Sequence, residues 1–343
     1  MTHKVTLKPT GQQFEVGTDE SVLAAALRNG LNLPHSCRGG SCLSCRSRVV
    51  EGHISYPRGL PPALTEGEAR EGWALLCQAR ADSDLTVEAL PREIPGDVRV
   101  RRMPCRVHRL ERLAEDVMAM FLKLPGFEPF RFLPGQYVDI LLADGGRRSF
   151  SLANPPHDSE LLELHVRKVA GGRFTSHVFD HMKERTLLRL EGPLGHFYWR
   201  EDSSRPVIMV AGGTGYAPIK SMLRHVYEQT GQRNIRFYWG VRGLADLYDR
   251  GLEHRETWGG FQFVPVLSEP APTDSWAGRR GLVHEAVLQD QPDLSAYDVY
   301  VAGPPAMVEA ARRDFGAAGL PAERLFFDSF DYAENDRPAA PAD

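Results

Sequence analysis

With 343 residues the chain is too long for one ordinary hydrophobic core, so two or three domains are expected. Hydrophobic residues make up 42%, charged residues 25%, and the formal charge is −4, which excludes a disordered chain and a basic nucleic-acid-binding surface. The longest apolar runs, such as Pro206–Gly212, fall short of the roughly 20 residues a membrane span needs. The start carries no secretory signal, so a cytoplasmic protein is expected, without a membrane or nucleic-acid partner.

In chain order, the residues from Lys4 to Leu7 and from Gln13 to Val16 alternate as in a hairpin, with Pro9, Thr10 and Gly11 as the turn. Ser21 caps an expected helix with Val22, Leu23, Ala26 and Leu27 on its apolar face, and Gly30 stands where it stops. The stretch Ser36-Cys37-Arg38-Gly39-Gly40-Ser41-Cys42-Leu43-Ser44-Cys45 then sets three thiols at Cys-x4-Cys-x2-Cys spacing. Cys77, in the apolar run Trp73–Cys77, is the one cysteine at a suitable distance to supply a fourth ligand, and the set matches the plant-type [2Fe-2S] pattern. Four thiolates must converge on two irons, and Gly39 and Gly40 permit the positive φ angles that aim N–H groups at sulfur. Structural zinc is the alternative, although zinc modules usually carry two Cys-x2-Cys knuckles and Cys77 stands alone. A disulfide framework does not suit five cysteines in a chain of this length. A strand is expected through Arg48–Val50. Thr65–Glu68 reads as a capping box opening a short helix that leads to Trp73 and Cys77, and a strand from Asp84 to Glu88 closes a first domain over 1–94.

Pro91–Asp97 has two prolines and a glycine without apolar periodicity and reads as a linker. Over 100–200, short strand-like runs at Val138–Leu142, Leu161–Val166 and Leu187–Leu190 favour a small antiparallel barrel, with Cys105 as a buried strand residue. From 204 to 332 apolar strands at Val207–Ala211, Ile235–Gly240, Phe261–Val266 and Val299–Ala302 alternate with helical texture, which argues for a parallel α/β domain. Residues 333–343 are polar and proline-rich and are expected to form a mobile tail.

Three further motifs carry chemistry. Arg148-Ser149-Phe150-Ser151 puts Arg148 and Phe150 on one strand face. A guanidinium suits a pyrophosphate, an aromatic ring can cover a flavin, and a hydroxyl can bond its edge, while an ordinary half-buried strand is the alternative. Gly171-Gly172-Arg173-Phe174-Thr175 is a glycine-to-hydroxyl turn before a helical stretch, suited to a second phosphate contact. Gly212-Gly213-Thr214-Gly215 follows an apolar strand and opens a helix with Pro218 in its first turn. That arrangement cradles a phosphate or is simply a tight strand–helix turn. Gly303-Pro304-Pro305 forms a second such turn at a strand's carboxyl end.

The succession of these motifs resembles the iron-sulfur flavoprotein reductases of the ferredoxin-NADP reductase superfamily over residues 3–332. The resemblance implies a β-grasp ferredoxin domain, an FAD-binding antiparallel barrel and a nicotinamide-binding α/β domain. It implies that Cys37, Cys42, Cys45 and Cys77 bind [2Fe-2S], and that Arg148, Phe150, Ser151, Gly172 and Thr175 hold FAD, with Ser151 as the catalytic candidate. Gly212, Gly213, Thr214 and Gly215 would meet the dinucleotide, with Gly303 and Pro304 beside the nicotinamide. Phe150 stands where the family often has tyrosine, and Ala302 where it commonly has cysteine. Arg148–Pro156 is similar to reductases of phenol hydroxylases and terephthalate-type dioxygenases. Glu191–Gly195 and Trp276–Gly281 look as much like CDP-6-deoxy-hexulose dehydrase reductases. The implied function is a reductase that passes electrons from NAD(P)H to an oxygenase component, or to a deoxysugar 3-dehydrase; a redox-sensing module is the reading from another class. Arg242 is the sole cation in its strand-end loop, apart from Arg250 farther on, and Asp246 follows it, so NADH is expected over NADPH.

Overall fold

The structure, a computed structural model, describes residues 2–40, 43–91, 98–126, 129–229, 232–249, 251–252 and 258–330. The chain divides into two compact units, Met1–Asp97 and Val98–Asp343. Beyond Pro91, the expected linker lies outside the described residues, as does the expected tail.

In the first unit the alternating segments pair as antiparallel strands β1 (Thr2–Lys8) and β2 (Gln13–Gly17), burying Val5, Leu7, Phe14 and Val16. Helix α1 (Val22–Arg28) adds Val22, Leu23 and Ala26 to the same core. The Ser21 hydroxyl accepts from the Ala24 N–H at 3.2 Å, and Gly30 leaves the helix at φ +76°. Then come β3 (Arg46–Glu51), β4 (Ile54–Ser55), α2 (Glu66–Arg70), β5 (Trp73–Leu75), β6 (Arg80–Ala81) and β7 (Leu85–Glu88). The main sheet runs β2-β1-β7-β3-β5, with β7 parallel to β1 and antiparallel to β3, a mixed sheet that grips α1. Thr65 and Glu68 form the expected capping box. Helix α2 nevertheless stops at Arg70: Gly72, at φ +87°, turns the chain against Val49, and Trp73–Leu75 pairs with β3. Cys77 is therefore reached through a strand.

The second unit opens with β8 (Arg101–Ala114), β9 (Val117–Lys123), β10 (Tyr137–Leu141), β11 (Arg147–Ser151), β12 (Leu162–Arg167), α3 (Arg173–Asp180) and β13 (Leu187–Leu194). These strands are antiparallel in the order β11-β10-β13-β8-β9-β12, and a bridge between Leu152 and Leu164 joins the two end strands into a barrel. Val107, Met120, Val138, Ile140 and Leu164 fill it, and Phe174 and Val178 of α3 pack on that core. Cys105 is buried in β8, and burial pushes its thiol up to about 12, so it behaves as an apolar side chain.

After the barrel come β14 (Val207–Gly212), α4 (Tyr216–Gln229), β15 (Gln232–Val241), β16 (Gly259–Leu267), β17 (Arg279–Arg280), α5 (Val283–Asp290), β18 (Asp298–Gly303), α6 (Pro305–Ala317) and β19 (Leu325–Ser329). All the pairings are parallel, in the order β17-β16-β15-β14-β18-β19. Strands β14 and β18 are buried throughout, which accounts for their unbroken apolar texture. The chain starts at β14, works outward through β15 and β16, and returns to β18 on the other side. The strand order therefore reverses between β14 and β18, opening a crevice at their carboxyl ends.

Candidate functional site

The cysteine loop takes its shape from the β3–β5 pairing. Cys45 stands immediately before β3 and Cys77 two residues after β5, and the Leu76 N–H donates to the Cys45 carbonyl at 3.3 Å. Cys45 and Cys77 are buried and Cys37 is half-buried; Cys42 lies outside the described residues. Arg38, Gly40 and Leu43 all take positive φ (54°, 85° and 60°), which curls the backbone, and the Gly39 N–H donates to the Cys37 sulfur at 3.4 Å. Gln78 Nε2 pins the loop by donating to the Arg38 carbonyl at 2.7 Å. Burial pushes the Tyr56 phenol up to about 12 against the bond it accepts from the Leu75 N–H, which fixes this ring beside β5. Among the described residues no three metal-ligating side chains come together as a group, and what fits a [2Fe-2S] cluster here is the cysteine spacing, the Cys45–Cys77 approach through the β3–β5 pairing and the N–H donor on the Cys37 sulfur.

On the barrel, Arg148 and Phe150 share one face of β11, opposite Ile140 and Val138 of β10. The Phe150 ring lies 5.7 Å from that of Phe174 on α3, and buried Ser151 pairs with Tyr137. Gly172 is the N-cap of α3, and the Thr175 hydroxyl is used inside that turn: it accepts from the Val169 N–H at 3.1 Å and donates to the Gly172 carbonyl at 3.3 Å. A Cβ on Gly172 would come within 2.5 Å of Thr175 Oγ1, so the glycine is there for space. Arg147, which carries no recognisable motif, faces Asp139 at 3.5 Å and joins Arg102 on Glu191. Burial opposes ionisation of Glu191, but the two guanidinium bonds hold its carboxyl below the usual range, tying β8, β10, β11 and β13 together.

At the carboxyl end of β14, Gly213–Gly215 form one tight turn and α4 begins at Tyr216, with Pro218 in its first turn. Gly213 has φ +53°, and its carbonyl accepts from Trp239 Nε1 at 2.9 Å. A Cβ on Gly215 would stand 2.5 Å from the Ala302 carbonyl carbon and 3.0 Å from the Gly303 nitrogen, so the turns after β14 and β18 touch backbone to backbone. Pro304 is the N-cap residue of α6. The structure thus brings Gly212, Gly213, Thr214, Gly215, Gly303 and Pro304 to the crevice where the strand order reverses. Asp246 accepts from the Gly243 N–H at 3.0 Å and faces Arg167 at 3.6 Å, and Arg242 is exposed; Arg250 lies outside the described residues.

A buried polar junction between this crevice and the barrel has no counterpart among the sequence motifs. Glu163 Oε1 accepts from Lys220 Nζ of α4 at 2.6 Å and is bonded to His165 Nε2 at 2.9 Å, while His165 Nδ1 meets the Tyr248 hydroxyl at 3.1 Å. Burial would raise the Glu163 carboxyl, but the His165 bond and the Lys220 charge bring it down to about 2; burial lowers His165, keeping the imidazole neutral. Arg167 continues this row, paired with Asp116 at 2.9 Å and placed against Gly213. The one signal in the sequence is a polar residue at every second position of Leu162–Arg167, which is also the pattern of a solvated strand face.

Residues 5–82 match a 2Fe-2S iron-sulfur cluster binding domain, 104–199 an oxidoreductase FAD-binding domain and 209–313 an oxidoreductase NAD-binding domain. The CDP-6-deoxy-L-threo-D-glycero-4-hexulose-3-dehydrase reductase of Yersinia pestis is 37% identical, covering 96% of this chain and 99% of that protein. The chain belongs to the iron-sulfur flavoprotein reductases. The propane 2-monooxygenase reductase component of Mycolicibacterium goodii is 35% identical over 96% of this chain and 97% of its own. The crystal structure of the Amycolatopsis cytochrome P450 reductase GcoB, 34% identical, superposes with a TM-score of 0.83 over 96% of this chain and 99% of that one. This reductase is therefore an NAD(P)H-dependent oxidoreductase with [2Fe-2S], FAD and nicotinamide domains, and the 2Fe-2S match decides against structural zinc. Among the described residues, no helix is long and apolar enough to cross a membrane.

Proposed function

We propose that this reductase delivers electrons from NADH to the oxygenase component of a multicomponent system acting on aromatic or similar apolar compounds, in the cytoplasm, where thiolates stay reduced. The observation that carries the reading is the presence of the cysteine loop, the Arg148–Ser151 strand and the paired glycine turns in one chain. When bound, the cofactors supply the chemistry: hydride acceptance by FAD from reduced nicotinamide, and one-electron delivery at the low potential, about −400 mV, typical of a plant-type cluster. In this reading Cys37, Cys42, Cys45 and Cys77 hold the cluster. Arg148 neutralises the FAD pyrophosphate, Phe150 covers the ring, and Ser151 bonds its edge as the catalytic candidate. Gly172 and Thr175 shape a phosphate turn. Gly212–Gly215, with Gly303 and Pro304, admit the dinucleotide, and exposed Arg242, the sole cation among the described residues of its strand-end loop, makes a poor clamp for a 2′-phosphate.

A second reading, reduction of a deoxysugar 3-dehydrase, has the support of the Yersinia relative at 37% identity. NADH oxidation coupled to product formation, measured with each purified acceptor in turn, separates the two. The cofactor order is tested with Cys45→Ser, which is expected to lose the cluster absorbance, keep FAD, and reduce ferricyanide but not cytochrome c. Equal loss of both activities in flavin-replete protein would overturn the proposed electron path.

A further inference from the structure

We propose that Lys220 and Ser221 of α4 are positioning residues that set the register between the dinucleotide turn at the head of that helix and the end of the flavin strand, and with it the alignment for hydride transfer. The inference rests on the functional reading above. Ser221 Oγ donates to the Asn154 carbonyl at 2.7 Å, the Asn154 side-chain oxygen accepts from the Glu163 N–H at 2.8 Å, and Glu163 Oε1 accepts from Lys220 Nζ at 2.6 Å. The bonds form a closed ring: from α4 to the barrel, along it, and back to the adjacent residue of α4.

Each end of the ring lies a few residues from a site motif. Asn154 follows Ser151 of the flavin strand by three residues in sequence, and Lys220 lies about 6 Å along α4 from Tyr216, where the helix leaves Gly215. A second tie reaches the turn itself. His165 meets the Tyr248 hydroxyl, Tyr248 stands edge-on to Trp239 with centroids 4.9 Å apart, and Trp239 Nε1 donates to the Gly213 carbonyl. Ser221 and Asn154 are buried to 0% and 2% exposure, so water cannot readily replace their bonds. A helix held at two adjacent residues cannot slide or roll against the barrel without breaking a buried bond, and hydride transfer is sensitive to displacements of about 1 Å.

The test uses the full-length holoprotein and the variants Lys220→Met, Lys220→Arg and Ser221→Ala. Lys220→Met is expected to keep its FAD and to bind ADP-ribose, which lacks the nicotinamide, within twofold of the parent. Its flavin should be bleached by NADH at least tenfold more slowly in stopped flow, and the Glu163 amide should exchange hydrogen faster. Lys220→Arg should recover most of the rate. If Lys220→Met does not fold, Ser221→Ala, which removes one hydroxyl, carries the test with an expected slowing of threefold or more. A flavin-replete variant bleached within twofold of the parent rate overturns the inference, as does ADP-ribose affinity falling in step with the rate. A parent protein that NADH does not bleach at all would overturn the functional reading instead.

Discussion

Gly215→Ala tests the glycine crevice most directly, because Gly215 is absent from the positive-φ positions and the substitution changes only the space. The added methyl would sit 2.5 Å from the Ala302 carbonyl carbon, closer still to its oxygen, and 3.0 Å from the Gly303 nitrogen. These are backbone atoms in a buried strand end and cannot rotate away. Ordinary carbon contacts lie at about 3.5–4.0 Å, so the ends of β14 and β18 must part by roughly 1 Å. Overpacking of this kind costs about 1–3 kcal/mol, which in a unit of this size lowers Tm by roughly 3–10 °C. The same displacement falls where the dinucleotide is proposed to lie, so kcat/KM for NADH should drop on the order of 100-fold while FAD and cluster absorbance persist. Thermal unfolding and steady-state ferricyanide reduction measure the two effects. A variant with Tm within 2 °C and kcat/KM within about twofold of the parent would refute the backbone-to-backbone contact as the reason for the glycine.

Gly316→Ala is expected to do the opposite. Gly316 lies in α6 with nothing within 4 Å of an added Cβ, so alanine should stabilise by up to about 1 kcal/mol and raise Tm by a few degrees. Arg148→Ala should release FAD on dilution while the cluster spectrum stays intact, because it removes charge-assisted bonds to a pyrophosphate; stoichiometric FAD after gel filtration would contradict that role. Stability should fall on acidification in two stages. His165 is held neutral, so from about its ordinary 6.5 downward the unfolded chain takes up a proton that the fold refuses. Glu163, lowered to about 2, contributes stability that is present above its ordinary 4.5 and is lost as pH falls toward about 2. His165→Gln should flatten the first stage, and Tm profiles of equal slope between pH 7 and 5 would remove His165 from the account.

What could be read in advance divides along a physical line. The cysteine loop, the capping box at Thr65 and the glycine turns are local devices, in which residue type and spacing within a few positions decide the backbone; the capping box and the turn after β14 stand where expected, while in the described part of the cysteine loop positive φ falls on Arg38, Gly40 and Leu43 and not on Gly39. The barrel and the parallel sheet followed from strand texture, although β4, β6, β9, β17, β19, α5 and α6 gave no distinct signal and β8 showed only through Cys105, because its mixed arginine-rich pattern lacks clean alternation. Trp73–Leu75 went from helix approach to strand because pairing with β3 outweighs local preference. The Glu163–His165 row was illegible for a stronger reason. Alternating Leu162, Leu164 and Val166 with Glu163, His165 and Arg167 reads as one core face and one wet face. Here α4, which begins more than fifty residues later, covers the polar face and supplies Lys220 as its counter-charge. On the barrel alone that carboxylate would face water, and under α4 it loses its hydration. It stays ionised because an ammonium group reaches it from the next domain at 2.6 Å, and removing Lys220 leaves a buried carboxylate that costs several kcal/mol. The same dependence makes the pair useful as a joint: it holds α4 against the barrel in the placement that also sets the glycine turn at the head of the helix against Arg167 of β12.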